Sequence, residues 1–156
     1  MRFSTVFNRA ETKGSNMLIR LIYISVAVGP QTGTMTHSIL KTAQAWNKAN
    51  NITGVLCQDD GVFLQALEGE RATVTKLYAR IYEDRRHSNV EMIHCECFAR
   101  RRYEKWSMAH VRLADIDLNT KIKWPEFDPY SASGSIVMGH IDRVLASGAE
   151  IGIPDF

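Results

Sequence analysis

The sequence predicts an α+β fold, a mixed and largely antiparallel sheet with two helices on one face and a helical cap towards the C-terminus. Three observations predict it. Five short runs rich in β-branched and aromatic residues have strand texture, and two segments between them place apolar residues at helical spacing. The order of these runs is strand, helix, strand, strand, helix, strand, strand, a βαββαββ pattern with the split βαβ order of a ferredoxin-like sheet. In that arrangement the first and third strands are neighbours at the centre.

Each element has a local reason. Residues 1–16 are polar and aperiodic, so they are expected to form a flexible extension, and the core is expected to begin at Met17. Leu18 to Ser25 is β-branched and apolar, the first strand. Gly29, Pro30 and Gly33 mark a loop, after which Thr34 or Thr36 is positioned to cap a helix running to about Asn50. Its apolar marks are Met35, Ile39, Ala43 and Trp46. Ile52 to Cys57 is the second strand, and Gln58-Asp59-Asp60-Gly61 is a hairpin turn into the third, bounded by Gly61 and Gly69. Val74, Leu77, Tyr78 and Ile81 form an i, i+3, i+4, i+7 stripe on a second helix, Arg71 to Asp84, closed by Arg85-Arg86-His87-Ser88. Val90 to Phe98 reads as the fourth strand. The arginine run Arg100 to Arg102 reads as a solvated loop, and Trp106 to Leu113 as a fifth strand. Beyond residue 113 the texture changes to a proline-bounded linker, Trp124 to Pro129, then a helix capped by Ser135 and stopped by Gly148.

Composition excludes several classes. With 156 residues, 45% hydrophobic, 23% charged and a net charge of +2, the chain is expected to form one globular domain without affinity for nucleic acid or a membrane surface. No apolar run approaches the roughly 18 residues of a membrane-spanning helix. Three cysteines make no disulfide framework, so the expected compartment is the cytoplasm. Cys95 and Cys97 with Cys57 and His94 lack zinc spacing, and the thiols are expected to be buried and structural. No phosphate-binding glycine loop, H-E-x-x-H or serine nucleophile elbow occurs.

The informative residue is Gln65. The third strand is apolar on both faces apart from this amide, and a buried amide without partners costs about 1–3 kcal/mol. Tyr23 on the first strand is within reach if those strands are neighbours. Asn47 lies on the first helix, and Arg80, Asp84 and His87, spaced i, i+4, i+7, align along one edge of the second. Singly these are a core tyrosine and a surface ion pair; together they line a slot between the helices able to hold a flat, hydrogen-bonding ligand.

Several stretches occur in order at family spacings: Arg20-Leu21-Ile22-Tyr23-Ile24-Ser25, Asn47 followed by Ile52-Thr53-Gly54-Val55-Leu56, Phe63 to Gly69, Asp84-Arg85-Arg86-His87, and Trp106-Ser107-Met108. The set resembles the BLUF family, sensors of blue light using FAD, over residues 17–112. The resemblance implies a non-covalent FAD between the two helices, with residues 113–156 as a C-terminal cap and output segment. It implies that Asn47 bonds the ring's carbonyl and imide edge and that Arg80 approaches the other carbonyl, with Asp84 and His87 near that end or the phosphates. Tyr23 is then the electron and proton donor, Gln65 the bridge that rotates or tautomerises, and Trp106 and Met108 the reporting elements, sharing one face of the fifth strand. It further implies a non-enzymatic photoreceptor, a homo-oligomer, signalling to a separate effector protein. Trp46 departs from the polar residue usual before Asn47 and is a competing electron donor by chemistry. The alternatives are a flavin oxidoreductase, marked by steady NADH turnover, and a cofactor-free interaction module, marked by colourless protein.

Overall fold

A computed structural model describes residues 17–59, 61–112 and 128–147. The expected extension 1–16, the linker residues 124–127, Asp60 of the hairpin turn, Leu113 and the Gly148 stop lie outside them. Among the described residues five strands form one sheet: β1 (Leu18–Ala27), β2 (Thr53–Asp59), β3 (Val62–Glu70), β4 (His87–Cys97) and β5 (Ala109–Arg112). Their order across the sheet is β4-β1-β3-β2-β5, so β1 and β3 are central neighbours, as the element order predicts. Every pairing is antiparallel except β2 with β5.

The helices α1 (Gly33–Ala49) and α2 (Arg71–Glu83) cover one face, and α3 (Gly134–Ala146) covers the other. Alternation along the strands sorts the core accordingly. Ile19, Leu21, Tyr23 and Leu67 meet Leu40 of α1 and Val74 of α2. Ile22, Ile24, Val55, Leu64, Ala66, Ala109 and Val111 meet Val137, Met138, Ile141 and Val144 of α3. Gly54 permits the tight β2–β3 contact, because a Cβ there would overlap the Ala66 carbonyl oxygen.

Four local expectations are corrected. The cap of α1 is Thr32, whose side chain accepts from the Met35 amide at 3.3 Å. The buried stripe of α1 is Leu40, Gln44 and Asn47, while Met35 is exposed: two amides occupy a face that apolar counting assigned elsewhere. Cys95 and Cys97 are exposed, since β4 is the outermost strand and is nowhere fully buried; only Cys57 is a core thiol, its pKa pushed up by burial to about 12. The arginine run is a solvated loop only in part: Arg100 is exposed, but the residues after it bind the sheet. Arg101 donates to Asn51 O (2.7 Å), Thr53 Oγ1 (2.8 Å) and Glu68 O (2.9 Å), and Tyr103 is buried against the α3 side of the sheet.

That side also holds the most saturated polar cluster. Glu68 is fully buried on β3 and receives Arg20 of β1 (2.7 Å), the amides of Arg102 (2.9 Å) and Tyr103 (3.0 Å), and Thr53 Oγ1 (3.3 Å). Arg20 also pairs with Glu96 of β4 and lies over the Phe98 ring at 4.9 Å. Arg102 carries the cluster onto α3 through Asp142 at 2.6 Å.

Candidate functional site

The helix side of the sheet is built differently. Tyr23 and Gln65 are register partners on the two central strands, both nearly fully buried, and both project beneath α1 and α2. The Tyr23 hydroxyl donates to Gln65 Oε1. Gln65 Nε2 then donates to Met108 Sδ at 3.2 Å, which fixes the amide's orientation chemically, because a thioether accepts but cannot donate. Burial, aided by Tyr78 and Asp84, pushes the Tyr23 phenol far above its ordinary pKa, so it stays protonated. Tyr78 of α2 lies over it at 5.8 Å between ring centroids, and His87 at 6.5 Å.

Asn47 and Gln44 reach from α1 to the segment before β5. Asn47 Nδ2 donates to Ser107 O (2.8 Å) and Gln44 Nε2 to Met108 O (3.0 Å). Sequence reasoning missed Gln44, although its position three residues before Asn47 places both amides on one helix face. It also missed Glu68 as a partner for Arg20; both stand on the face opposite Tyr23 and Gln65, which alternation along the strands could have revealed.

The remaining predicted residues separate. The second helix ends at Glu83, so Asp84 is its C-cap and His87 opens β4; the proposed helical edge of Arg80, Asp84 and His87 does not form. Asp84 pairs with Arg86, whose hydrogen bond holds the carboxyl below its usual range. His87 Nδ1 meets Ser25 Oγ at 2.9 Å, and burial lowers its pKa against the opposing pull of Asp84. Arg80 is exposed and sits 5.5 Å over the Trp46 ring, joining α2 to α1. Trp106 and Met108 do not share a face. The fifth strand begins only at Ala109, and the preceding residues leave strand alternation, so Met108 packs with Tyr23 while Trp106 packs on the α3 side.

Chemically, the site offers three buried amides, an oxidisable phenol and a thioether on an apolar floor of Leu21, Leu40 and Leu67. Such a set fits a flat heteroaromatic ring with adjoining carbonyl and imide groups, since amides match both its donors and its acceptors. A separate cleft of about 380 Å³ lies on the same face between the first turns of α1 and the ends of β2 and β5, lined by His37, Leu40, Gln58, His110 and Arg112 among others. Among the described residues no three His, Cys, Asp or Glu side chains group to hold a metal ion, and no helix is long and apolar enough to cross a membrane.

Comparison with known proteins bears on this geometry. The family model for sensors of blue-light using FAD, BLUF, matches residues 18–109. The photoactivated adenylate cyclase subunit alpha-like protein FB of Euglena gracilis is 44% identical over 77 residues, covering 49% of this chain and 8% of that protein. The chain thus spans only about a tenth of the length of such curated relatives. Among solved structures, BlsA in its photo-activated state superposes with a TM-score of 0.75 at 26% identity, covering 85% of this chain and 98% of BlsA. BlrP1 of Klebsiella pneumoniae, solved with FMN and cyclic diGMP, gives 0.62 at 26% identity, covering 69% of this chain and 29% of that one.

Proposed function

This chain belongs to the BLUF family of flavin-binding blue-light sensors, and from that membership we propose that it is a photoreceptor in which Tyr23, Gln65 and Met108 form the switch. The observation that carries the reading is the continuous chain from the Tyr23 hydroxyl through the Gln65 amide to the Met108 thioether. FAD is the form proposed, following the family description; chromatography of the flavin released from purified protein distinguishes it from FMN. When bound, the flavin supplies the blue-light absorption and the electron acceptor.

The chain's own residues do the rest. Asn47 and Gln65 orient the ring through amide hydrogen bonds, with Arg80, Asp84 and His87 assigned to its outer end. Tyr23, kept neutral by burial, yields an electron and then a proton, because a phenol becomes strongly acidic once oxidised. The proton leaves along the existing bond to Gln65 Oε1. Gln65 rotates or tautomerises and loses its bond to Met108, and return of the electron and proton restores Tyr23 without net reaction. Trp106, on the opposite face, is assigned to relaying this change rather than touching the ring. Residues 17–112 form the sensing unit in this reading, and α3 with the rest of 113–156 the output. The chain acts without catalysis, as a homo-oligomer, on a separate effector protein. Supporting a sensing unit of this kind, this chain matches BlsA over nearly all of that chain's length.

Absorption spectra before and after blue light test the proposal. A flavin spectrum that shifts slightly to the red and recovers in darkness is expected. Tyr23→Phe and Gln65→Leu should each abolish the shift while flavin still binds; a normal photocycle in Tyr23→Phe overturns the assignment.

A further inference from the structure

On the outer edge of the sheet, away from the switch, we propose that Cys95, Cys97 and Met17 form a three-sulfur site for a soft monovalent cation, copper(I). Cys95 and Cys97 register with Leu21 and Ile19 of β1, so both project to the α2 side. Two residues of strand separate their Cα atoms by about 6.6 Å, which χ1 rotation can close to a shared ion. Met17, just before β1, places its Sδ 3.3 Å from Cys97 Sγ. It is held there from α2: Arg71 donates its amide to Met17 O (2.9 Å) and its guanidinium to Met17 Sδ (3.6 Å). All three sulfur residues are exposed, so an ion has access.

The ligand set selects the ion. Thiolate and thioether sulfurs favour copper(I), whereas zinc takes four ligands from thiolate, imidazole and carboxylate. Glu96 lies between the cysteines in sequence but turns away to Arg20 and His94. Cys57 is buried in the core on the α3 side. Binding moves no electron: each thiol gives up its proton to solvent, two sulfur–copper bonds form from the thiolates, and Met17 contributes a lone pair. The resulting unit carries one net negative charge, which the Arg71 guanidinium offsets. Affinity therefore rises with pH, because two protons leave on binding.

Anaerobic competition of the full chain, in the dark, against copper(I) bicinchoninate tests the site, the loss of the chelate's colour reporting transfer. One equivalent should be withdrawn by the native chain. Cys95→Ser and Cys97→Ser should each abolish that withdrawal, Met17→Leu should weaken affinity about tenfold at unchanged stoichiometry, and Cys57→Ala should change nothing. Cys95, Cys97 and Met17 are exposed, which permits their variants to fold, and circular dichroism checks them together with Cys57→Ala in the core. No transfer to the native chain, undiminished transfer to the Cys95→Ser/Cys97→Ser double variant, loss of transfer in Cys57→Ala, or equally tight zinc binding by the same sulfurs each overturns the proposal.

Discussion

The two faces of one sheet solve the problem of buried polar groups in opposite ways. Towards α3, Glu68 is saturated by a guanidinium, two backbone amides and a hydroxyl, and Arg20 by two carboxylates. Towards α1 and α2, Gln65 holds a neutral phenol and a thioether, and the α1 amides hold loop carbonyls. Charged, multiply bonded groups have one good arrangement. Neutral amides with a weak acceptor have several of similar free energy, which is the condition for a population shift by a small perturbation. Side-chain alternation puts both behaviours on the same strand, three residues apart on β3, so the movable group is mounted on a fixed one.

Replacing one buried group on each face is the strongest way to break this contrast. Glu68→Gln leaves the buried Arg20 charge with the partly exposed Glu96 as its one carboxylate partner and should cost about 3–5 kcal/mol in denaturant unfolding. Gln65→Leu, which removes an uncharged amide from an apolar floor, should cost no more than about 1–2 kcal/mol. Equal losses would mean that the two faces are not distinct.

Acid is the next lever. His140 of α3 is buried, and desolvation, with Arg143 nearby, depresses its pKa to about 4. The unfolded chain, with an ordinary histidine near 6.5, binds the proton more readily. The stability from neutral burial is therefore present above about pH 6.5 and declines as pH falls towards 4. Denaturation midpoints across that window should fall on acidification, and His140→Phe should flatten the decline. His87, lowered chiefly by burial on the other face, contributes with the same sign. An unchanged slope in His140→Phe would assign the acid sensitivity elsewhere.

The smallest expected effect concerns the link between the helices. Arg80→Ala removes the guanidinium from the Trp46 ring and should lower stability by about 0.5–1 kcal/mol. A double-mutant cycle with Trp46→Leu should recover that energy as coupling; zero coupling would make the stack incidental.

What could be read from the chain follows the same division. The neighbouring of Tyr23 and Gln65 was legible because period-two alternation and element order determine it. The separation of Trp106 from Met108 was not, because it depends on where strand pairing begins, and both carry large apolar side chains whichever way they turn. His87 was misassigned because seven residues make two helical turns only if the helix continues. Here Asp84 has extended backbone (ψ 119°) and ends it. The Arg101 and Arg102 contacts escaped because charge in a loop says nothing of Glu68, whose backbone carbonyl takes the Arg101 guanidinium and whose carboxylate takes the Arg102 amide.

The short pairing of β5 among the described residues has a kinetic consequence. Among the described residues it is an edge strand paired in parallel to β2 over Ala109 to Arg112, while β4 at the other edge runs for eleven residues. Residues Ala109 and Val111 of β5 are nevertheless buried in the core whereas β4 is nowhere fully buried, so comparing amide exchange in the two strands separates pairing length from burial. Because β5 continues directly from Met108, its exchange rates report on the backbone beside the switch.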